Sequence, residues 1–365
     1  PEILFFWVAR MIMAGYEYAG REPFSDVYLT GIVRDKQRRK MSKSLGNSPD
    51  PISLIEQYSA DGVRVGMLFC SPAGNDLLYD DSLPEQGRNF ANKIWNAFRL
   101  IKSMNVDDSI PQPEASALAV RWMENTLSRT LADIDDNFGK YRISDALMQA
   151  YKLFWDEFSG WYLEIIKPEY GKPLDKITYI ETIGIFDSLL KILHPFMPFI
   201  TEEIWHLLEE RKDGESIMIE KMPVSNGFDA GLLNGFDVAK EIISGIRTIR
   251  KEKNIKNADK LALFAGAEET ADTRRFNSVI MKLCNLSSIG YVTEKVEGSV
   301  SFRVATTEYY VPFAGAVDTE AELKKLREEL AYTEGFLSSV MIKLNNEKFT
   351  SHAPAKVIEM ERKKQ

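Results

Sequence analysis

The sequence is poor in the residues that build metal centres and disulfide frameworks. Among its 365 residues are two cysteines, Cys70 and Cys284, and three histidines, His194, His206 and His352. Two cysteines supply neither a cysteine-rich zinc site nor a disulfide framework, and they indicate a reducing compartment. We therefore expect no bound metal, no organic cofactor and a cytoplasmic location.

Long apolar runs and an excess of positive charge are also missing. No run of about 18 apolar residues occurs, which argues against a membrane span. The first ten residues lack the features of a signal peptide. They have the pattern of the middle of a buried helix, so we expect the true N-terminus to lie far upstream. The net charge is −8, which disfavours nucleic acid as a partner only weakly, because a local basic stripe is sufficient.

What is present fits a soluble, multi-domain and mainly helical protein. Hydrophobic residues make up 44% and charged residues 27%, the range of a globular protein with a substantial core. Helical periodicity runs from about Pro84 to Leu208 and predicts a helical bundle. Residues 3–14 are also helical in pattern and are predicted to stop at Gly15.

Two further patterns lie before the bundle. Residues 27–33 are rich in β-forming residues and lead into a polar loop. A strand that delivers such a loop is typical of an α/β sheet, whose ligands lie beyond the carboxyl ends of its strands. Residues 51–69 are predicted to be helical again.

Beyond a Gly- and Asn-containing linker at 223–235 the pattern changes to a small α/β unit. Its predicted helices are 237–253 and 272–283, and its predicted strands are 260–265, 288–294 and 299–306. The last segment carries an apolar heptad formed by Leu323, Leu326, Leu330, Thr333, Leu337, Val340 and Leu344. The heptad breaks at 345–346 and at 352–354, and a second helix is expected from about Ala355, which predicts an antiparallel coiled-coil hairpin.

The sharpest chemical signal is KMSKS at residues 40–44. Two lysines three residues apart, with serine hydroxyls at 42 and 44 and Gly46 after them, make a mobile cationic loop. Such a loop can fold over a triphosphate and neutralise the charge that develops on departing pyrophosphate. From the residue types alone, a solvated basic turn is the simpler interpretation. The complete pentapeptide between a strand and a helix favours the phosphate role.

This pentapeptide resembles the signature loop of the class I aminoacyl-tRNA synthetases. The resemblance implies a Rossmann-type catalytic domain that activates an amino acid with ATP and Mg²⁺ and then esterifies tRNA. Lys40 and Lys43 would be the catalytic residues. The implied ATP-binding residues are Thr30, Gly31, Lys40, Met41, Ser42, Lys43 and Ser44.

The segments FFWVARMIMAG and VYLTGIVRD resemble the valine-specific members more than the isoleucine or leucine enzymes. By that resemblance Ile3 and Trp7 would line the amino-acid pocket, where an apolar residue and an indole suit a small branched side chain. The alternative is that both are ordinary core residues, since positions i and i+4 pack together in any buried helix.

Other segments resemble the parts of this family that bind tRNA. Residues 88–99 and 193–205 are similar to its helical anticodon-binding domain, and the end of the chain is similar to the coiled-coil arm of the valine-specific members. The implied tRNA contacts are Arg88, Lys93, Arg99, Lys324, Lys325 and Arg327. For Arg88, Lys93 and Arg99 a solvated helix face explains the charge equally well.

The fold class we expect is therefore mainly α, with four parts. They are a Rossmann remnant with its KMSKS loop (1–83), a helical anticodon-binding bundle (84–225), a small α/β domain (226–318) and a truncated coiled-coil arm (319–365).

The resemblance leaves gaps, because the HIGH-type motif and the editing domain are absent and Arg38–Arg39 replaces a commoner Gly-containing turn. We expect a monomeric valine–tRNA-joining enzyme whose fragment alone is inactive. The alternatives are an isoleucine or leucine enzyme, a non-catalytic RNA-binding or assembly protein derived from a synthetase, and a generic coiled-coil scaffold.

Overall fold

The computed structural model describes residues 3–70, 76–312 and 319–344. The protein is mostly helical with a few small sheets, which confirms the predicted fold class. Residues 1–311 form one compact unit and residues 312–365 form a second. Among the described residues, no helix combines the length and the apolar character needed to cross a membrane.

The first helix is longer than predicted and lies on the surface. Its central part, α1 (Ala9–Ala14), is flanked by π-helical turns at Leu4–Val8 and Gly15–Ala19. The predicted stop at Gly15 was wrong, because this glycine keeps helical angles (φ −60°, ψ −47°) and the chain leaves the helix at Gly20, where φ is 67°. None of these helical residues is buried, so the predicted burial of this helix was wrong as well.

A two-stranded parallel sheet follows. Strand β1 (Val33–Arg34) pairs with β2 (Leu77–Leu78), Val33 opposite Leu77. Of the predicted strand 27–33 only the last residue is in a ladder. The described partner is two residues long, and a β-rich sequence forms a ladder only where another strand meets its backbone groups.

The predicted helix 51–69 is divided in two. Helix α2 (Pro51–Tyr58) is capped by the Asp50 carboxylate, and α3 (Ala60–Phe69) is capped by the hydroxyl of Ser59. Ser59 has φ 68° and ψ 158°, far from helical values, so the chain turns a corner there. This corner carries the chain from the loop region to the bundle.

The bundle contains the deepest part of the core. Its elements are α4 (Ser82–Lys102), β3 (Val106–Asp107), α5 (Glu114–Gly139), α6 (Ile143–Lys152), α7 (Leu163–Ile166), β4 (Leu174–Asp175), α8 (Lys176–Leu193) and α9 (Pro198–Leu208). A π-helical stretch, Leu153–Tyr162, joins α6 to α7, and β3 pairs with β4 in parallel. Phe90, Phe154, Phe158 and Phe186 are fully buried, and each ring contacts the next in this order.

A small α/β region continues the same compact unit. It comprises α10 (Ala230–Glu252), β5 (Leu261–Gly266), α11 (Ala271–Arg274), α12 (Asn277–Cys284), β6 (Leu286–Val292), β7 (Ser299–Val304) and β8 (Thr307–Pro312). The strand order is β6-β5-β8-β7; β6 is parallel and β8 antiparallel to β5. Strand β8 was not predicted. Phe236 of α10 lies 4.0 Å from Trp122 of α5 and 5.1 Å from Phe276, so the cores of the bundle and of this region are continuous.

The second unit is described through one helix, α13 (Thr319–Leu344). This helix carries the predicted heptad. The predicted break at 345–346 and the returning helix from Ala355 lie outside the described residues. The predicted boundaries of the four parts stay predictions.

Candidate active site

The KMSKS segment begins on the returning side of a tight hairpin that starts at β1. Arg34 and Lys40 form an antiparallel bridge, and the amide of Asp35 donates to the carbonyl of Arg39 over 2.9 Å. At the tip, Arg38 donates to the Asp35 carbonyl and has φ 64°, the left-handed region. The hairpin therefore fixes where the lysine segment starts relative to the sheet.

A buried carboxylate holds this hairpin closed. Asp35 is 7% exposed and accepts the amides of Gln37 (3.0 Å) and Arg39 (2.8 Å), the Nε of Arg39 (2.8 Å) and the Nδ2 of Asn47 (3.0 Å). The hydrogen bond from Asn47, followed by those from Arg39, lowers the pKa of Asp35 to about 2. The carboxylate stays ionised at neutral pH and keeps all of these donors.

Asn47 joins the hairpin to the first half of the KMSKS segment. Its amide nitrogen donates to Asp35 and, over 3.4 Å, to the carbonyl of Lys40, while its side-chain oxygen accepts the amide of Ser42 over 2.9 Å. We call Asp35 and Asn47 the loop clasp. Sequence reasoning assigned no role to Asn47, although a Gly-Asn pair that ends a polar loop is a recognised turn signal.

The serines of the segment shape the turn that carries the second lysine. The Oγ of Ser42 lies 3.1 Å from that of Ser44 and accepts the amide of Leu45 over 3.3 Å. Lys43–Leu45 form one 3₁₀ turn, and Gly46 follows at φ 63°. Lys40 is exposed and Met41 half-buried. The side chain of Lys43 lies outside the described part of the structure.

Ion pairs tie the hairpin to β2. Asp76 pairs with Arg34 and accepts the amide of Ile32 over 3.0 Å, and both contacts lower the pKa of Asp76. Lys36 pairs with Asp80 over 2.8 Å, and this contact is the main cause that lowers the pKa of Asp80 to about 2. Each pair is exposed to water, so these pairs orient the loop more than they stabilise the fold.

The other predicted ligand-binding residues lie on two separate segments. Thr30 and Gly31 are in extended chain just before β1, with Thr30 exposed and Gly31 half-buried. Ile3 and Trp7 share a helix face and are 59% and 55% exposed, with the guanidinium of Arg10 4.7 Å from the Trp7 ring. The core alternative for Ile3 and Trp7 is wrong for the described structure.

Two of the three predicted cations on α4 share a face. Arg88 and Arg99 are eleven residues apart, which places them about 20° apart around the helix and about 16 Å apart along it. Arg88 lies 5.5 Å from the ring of Tyr58, and Lys93, on another face, has its ammonium 5.1 Å from the ring of Trp155. Arg88 and Lys93 are thus each in cation–π contact with an aromatic ring.

A surface cavity of about 560 Å³ beside α8 was missed by sequence reasoning. Lys191 in its wall pairs with Asp187 (2.9 Å) and Glu220 (3.0 Å). Arg211 stacks 3.3 Å from the Trp205 ring and lies 4.0 Å from Asp187. The charges of this cavity balance one another, so it does not favour an anion.

The cations of the second unit are described only in part. Arg327 on α13 is exposed, while the side chains of Lys324 and Lys325 lie outside the described part. Within residues 3–70, 76–312 and 319–344, no three His, Cys, Asp or Glu side chains gather as a metal site.

Three family descriptions match this chain. Residues 1–80 match class I tRNA synthetases for isoleucine, leucine, methionine and valine, and residues 120–265 match the anticodon-binding domain of tRNA ligases. Residues 318–365 match the tRNA-binding arm of valyl tRNA synthetases.

Curated relatives are similar over the whole chain. Valine–tRNA ligases from Parabacteroides distasonis and Porphyromonas gingivalis are 62% and 58% identical over 100% of the chain, and that of Fusobacterium nucleatum is 38% identical over 99%. The chain spans 42%, 41% and 42% of the length of these relatives.

Proposed function

We propose that the chain is part of a class I aminoacyl-tRNA synthetase that joins valine to tRNA-Val, because its residues 1–80 match the tRNA synthetases for isoleucine, leucine, methionine and valine and the whole chain is similar to valine–tRNA ligases. The observation that carries the proposal is the KMSKS hairpin held by the loop clasp, within a chain 62% identical to a valine–tRNA ligase. The reaction is activation of valine by ATP, with Mg²⁺ bound to the nucleotide, followed by transfer to tRNA.

The loop acts on the phosphates. The valine carboxylate attacks the α-phosphate of ATP, and the bond to pyrophosphate breaks as negative charge grows on the leaving oxygens. Lys40 and Lys43 stabilise that charge, and Ser42 and Ser44 provide hydroxyl donors beside Met41 at the same turn. Thr30 and Gly31 line the approach to the adenosine. Fixed donors aimed at developing charge are worth roughly 2.7–4 kcal/mol each in comparable sites.

The loop clasp positions this machinery. The Asn47 side chain holds the backbone of Lys40 and Ser42, so it acts on the two lysines by fixing the backbone that carries them. Asp35 in turn orients the Asn47 amide. A displacement of about 1 Å at reacting groups can cost on the order of a hundredfold in rate, which is why a positioned loop matters.

The amino-acid pocket is assigned to Ile3 and Trp7. Both are exposed in this chain and share one helix face, which leaves apolar surface for a small branched side chain or for the rest of a pocket wall. Such a pocket discriminates by roughly 1–3 kcal/mol per methylene, so selection against a smaller amino acid is limited.

tRNA is the macromolecular partner in this proposal. Arg88 and Arg99 offer a cationic face on α4, with Lys93 beside it, while Arg327, Lys324 and Lys325 serve the arm formed by residues 319–365. An acidic protein can bind RNA through such local stripes, and phosphate contacts make the affinity fall with salt. We place the enzyme in the cytoplasm as a monomer.

The direct test uses the full-length protein that carries this chain. We expect valine-dependent ATP–pyrophosphate exchange, weaker exchange with isoleucine, and charging of tRNA-Val. The chain alone is expected to show no exchange but weak, salt-sensitive binding of tRNA. Faster exchange with isoleucine or leucine than with valine would change the assigned amino-acid substrate. Absence of exchange with any amino acid would favour a non-catalytic RNA-binding protein.

The arm has its own test. Deleting residues 319–365 from the full-length protein is expected to raise the Michaelis constant for tRNA and to make binding less sensitive to salt, because phosphate contacts are lost. If affinity and salt dependence stayed the same while the oligomeric state changed, the arm would serve assembly instead.

A further inference from the structure

A buried carboxylate of α3 caps a helix that begins far along the chain. Asp61 is 3% exposed, and its oxygens accept the backbone amides of Phe199 (3.3 Å) and Ile200 (2.7 Å). These amides belong to the first turn of α9, whose own N-cap residue, Met197, makes no side-chain capping bond. Asp61 therefore supplies the anion that the start of a helix favours, from a different segment of the fold.

Arg64, one turn further along α3, binds the opposite groups of the same bend. Its Nε donates to the carbonyl of Phe196 over 3.2 Å, and its terminal nitrogen donates to that of Pro195 over 3.0 Å. Asp61 thus holds the amides and Arg64 the carbonyls of residues 195–200. We call these two side chains the bend clasp.

The same helix is locked to the bundle at two other places. A β-carbon on Gly66 would lie 2.4 Å from the carbonyl oxygen of Leu83 in α4, so the two backbones touch. At the far end of α3, the Ser144 hydroxyl of α6 donates to the carbonyl of Leu68 over 2.8 Å. Helix α3 is therefore fixed to the bundle along its whole length.

On its other side α3 leads directly back to the KMSKS loop. The corner at Ser59 joins it to α2, whose capping Asp50 closely follows Asn47 in sequence. Any tilt of α3 against the bundle therefore changes where the lysine segment lies relative to the surface on α4. Because a bound RNA extends far from that surface, a small tilt of α3 would displace the distant end of the RNA by a much larger distance.

We propose that Asp61 and Arg64 are positioning residues that hold the RNA-binding bundle at the orientation in which bound tRNA meets the activated amino acid. This proposal rests on the proposed function. It predicts a division between the two half-reactions. Amino-acid activation needs only the loop and its substrates. Transfer also needs the bundle to hold tRNA so that its acceptor end meets the activated amino acid.

The test compares Asp61→Asn and Arg64→Met in the full-length protein. Valine-dependent exchange without tRNA should stay within about twofold, while the kcat of tRNA charging should fall about tenfold with little change in KM for tRNA. Arg64→Lys should restore part of the charging rate, because it keeps one donor for the carbonyls.

Asp175→Asn is the matched control. Asp175 is as buried as Asp61 (2% exposed), and it caps α8 by accepting the amide of Thr178 over 2.8 Å. Unlike Asp61, both Asp175 and Thr178 belong to the bundle. Asp175→Asn should lower thermal stability without separating the two half-reactions, and Asp61→Asn should separate them.

Equal losses in exchange and charging, or no loss in charging for either bend-clasp variant, would overturn the proposal. Absence of valine-dependent exchange in the unsubstituted protein would instead refute the proposed function. The two failures are therefore distinguishable.

Discussion

The bundle and the loop region of the first unit are held by different forces. In the bundle, large aromatic side chains such as Phe158 and Trp122 are almost completely buried, whereas residues 4–19 contain no buried side chain at all. Around the loop, order comes from the loop clasp and a few exposed ion pairs. Stability is therefore concentrated in the bundle, whereas the proposed chemical function lies where local order depends on individual polar contacts.

The largest expected effect comes from the bundle core. Phe158→Ala should lower the free energy of unfolding by about 3–5 kcal/mol, because its ring is fully buried against Phe154 and Phe186. Urea unfolding of the chain measures it. Phe6→Ala is the control: Phe6 is 66% exposed, so its removal should change stability by no more than about 0.5 kcal/mol. Similar losses for both would remove the contrast between the regions.

The contact between α3 and α4 should give the next largest effect. Gly66→Ala forces a methyl group against the Leu83 carbonyl and should cost about 1–3 kcal/mol. Gly184→Ala in α8 meets no atom within 4 Å and should stabilise by about 0.5–1 kcal/mol, because alanine favours the helix. Thermal unfolding measures the stability of both variants. If Gly66→Ala were as stable as the unsubstituted protein, the contact between α3 and α4 would be able to relax around the added methyl group.

The loop clasp should show a small effect on stability and a clear effect on local order. Asn47→Ala removes three hydrogen bonds near the surface, so the free energy of unfolding should fall by less than about 1 kcal/mol. Tryptic cleavage between Arg38 and Lys43 should become faster. Asn92→Ala, at an exposed position of α4, serves as control. Unchanged cleavage in Asn47→Ala would mean that the loop is ordered by other contacts.

The smallest expected effect depends on pH. Burial lowers the pKa of His194 below its ordinary value of 6.5, and its Nδ1 lies 2.8 Å from the Thr201 hydroxyl. The native state therefore binds fewer protons than the unfolded state just below pH 6.5, and stability falls as the pH drops from 6.5 towards the lowered pKa. His194→Gln should flatten this slope in unfolding curves. The carboxylates of Glu202 and Asp61 act against burial and raise this pKa, so a slope of the opposite sign would mean that they outweigh burial.

Periodicity predicted the bundle because apolar repeats are dictated by burial, and the helices α4 to α9 lie within the predicted helical region from about Pro84 to Leu208 or begin two residues before it. Local glycine rules were less successful. Gly15 continues its helix and Gly20 ends it, since either glycine can adopt the helical or the left-handed conformation. Strand β8 was missed because a hairpin turn at Ala305, with φ 51°, has no glycine to mark it.

The candidate site was predictable only where a motif is continuous in sequence. The KMSKS motif identified the lysine segment. The role of Asn47, however, depends on how the hairpin closes. The role of Asp61 depends on two backbone amides that lie 138 and 139 residues further along the chain. No spacing rule connects such positions. The assignments of Ile3, Trp7 and the tRNA-contacting cations stay predictions.

The most direct measurement is single-turnover formation of valyl-adenylate by the full-length protein with Lys43→Met. We predict a fall of about 10²–10³-fold in the rate, with valine affinity nearly unchanged, because the proposed role of Lys43 is to stabilise charge that appears only as pyrophosphate leaves. A rate equal to that of the unsubstituted protein would contradict the assignment of this loop to activation.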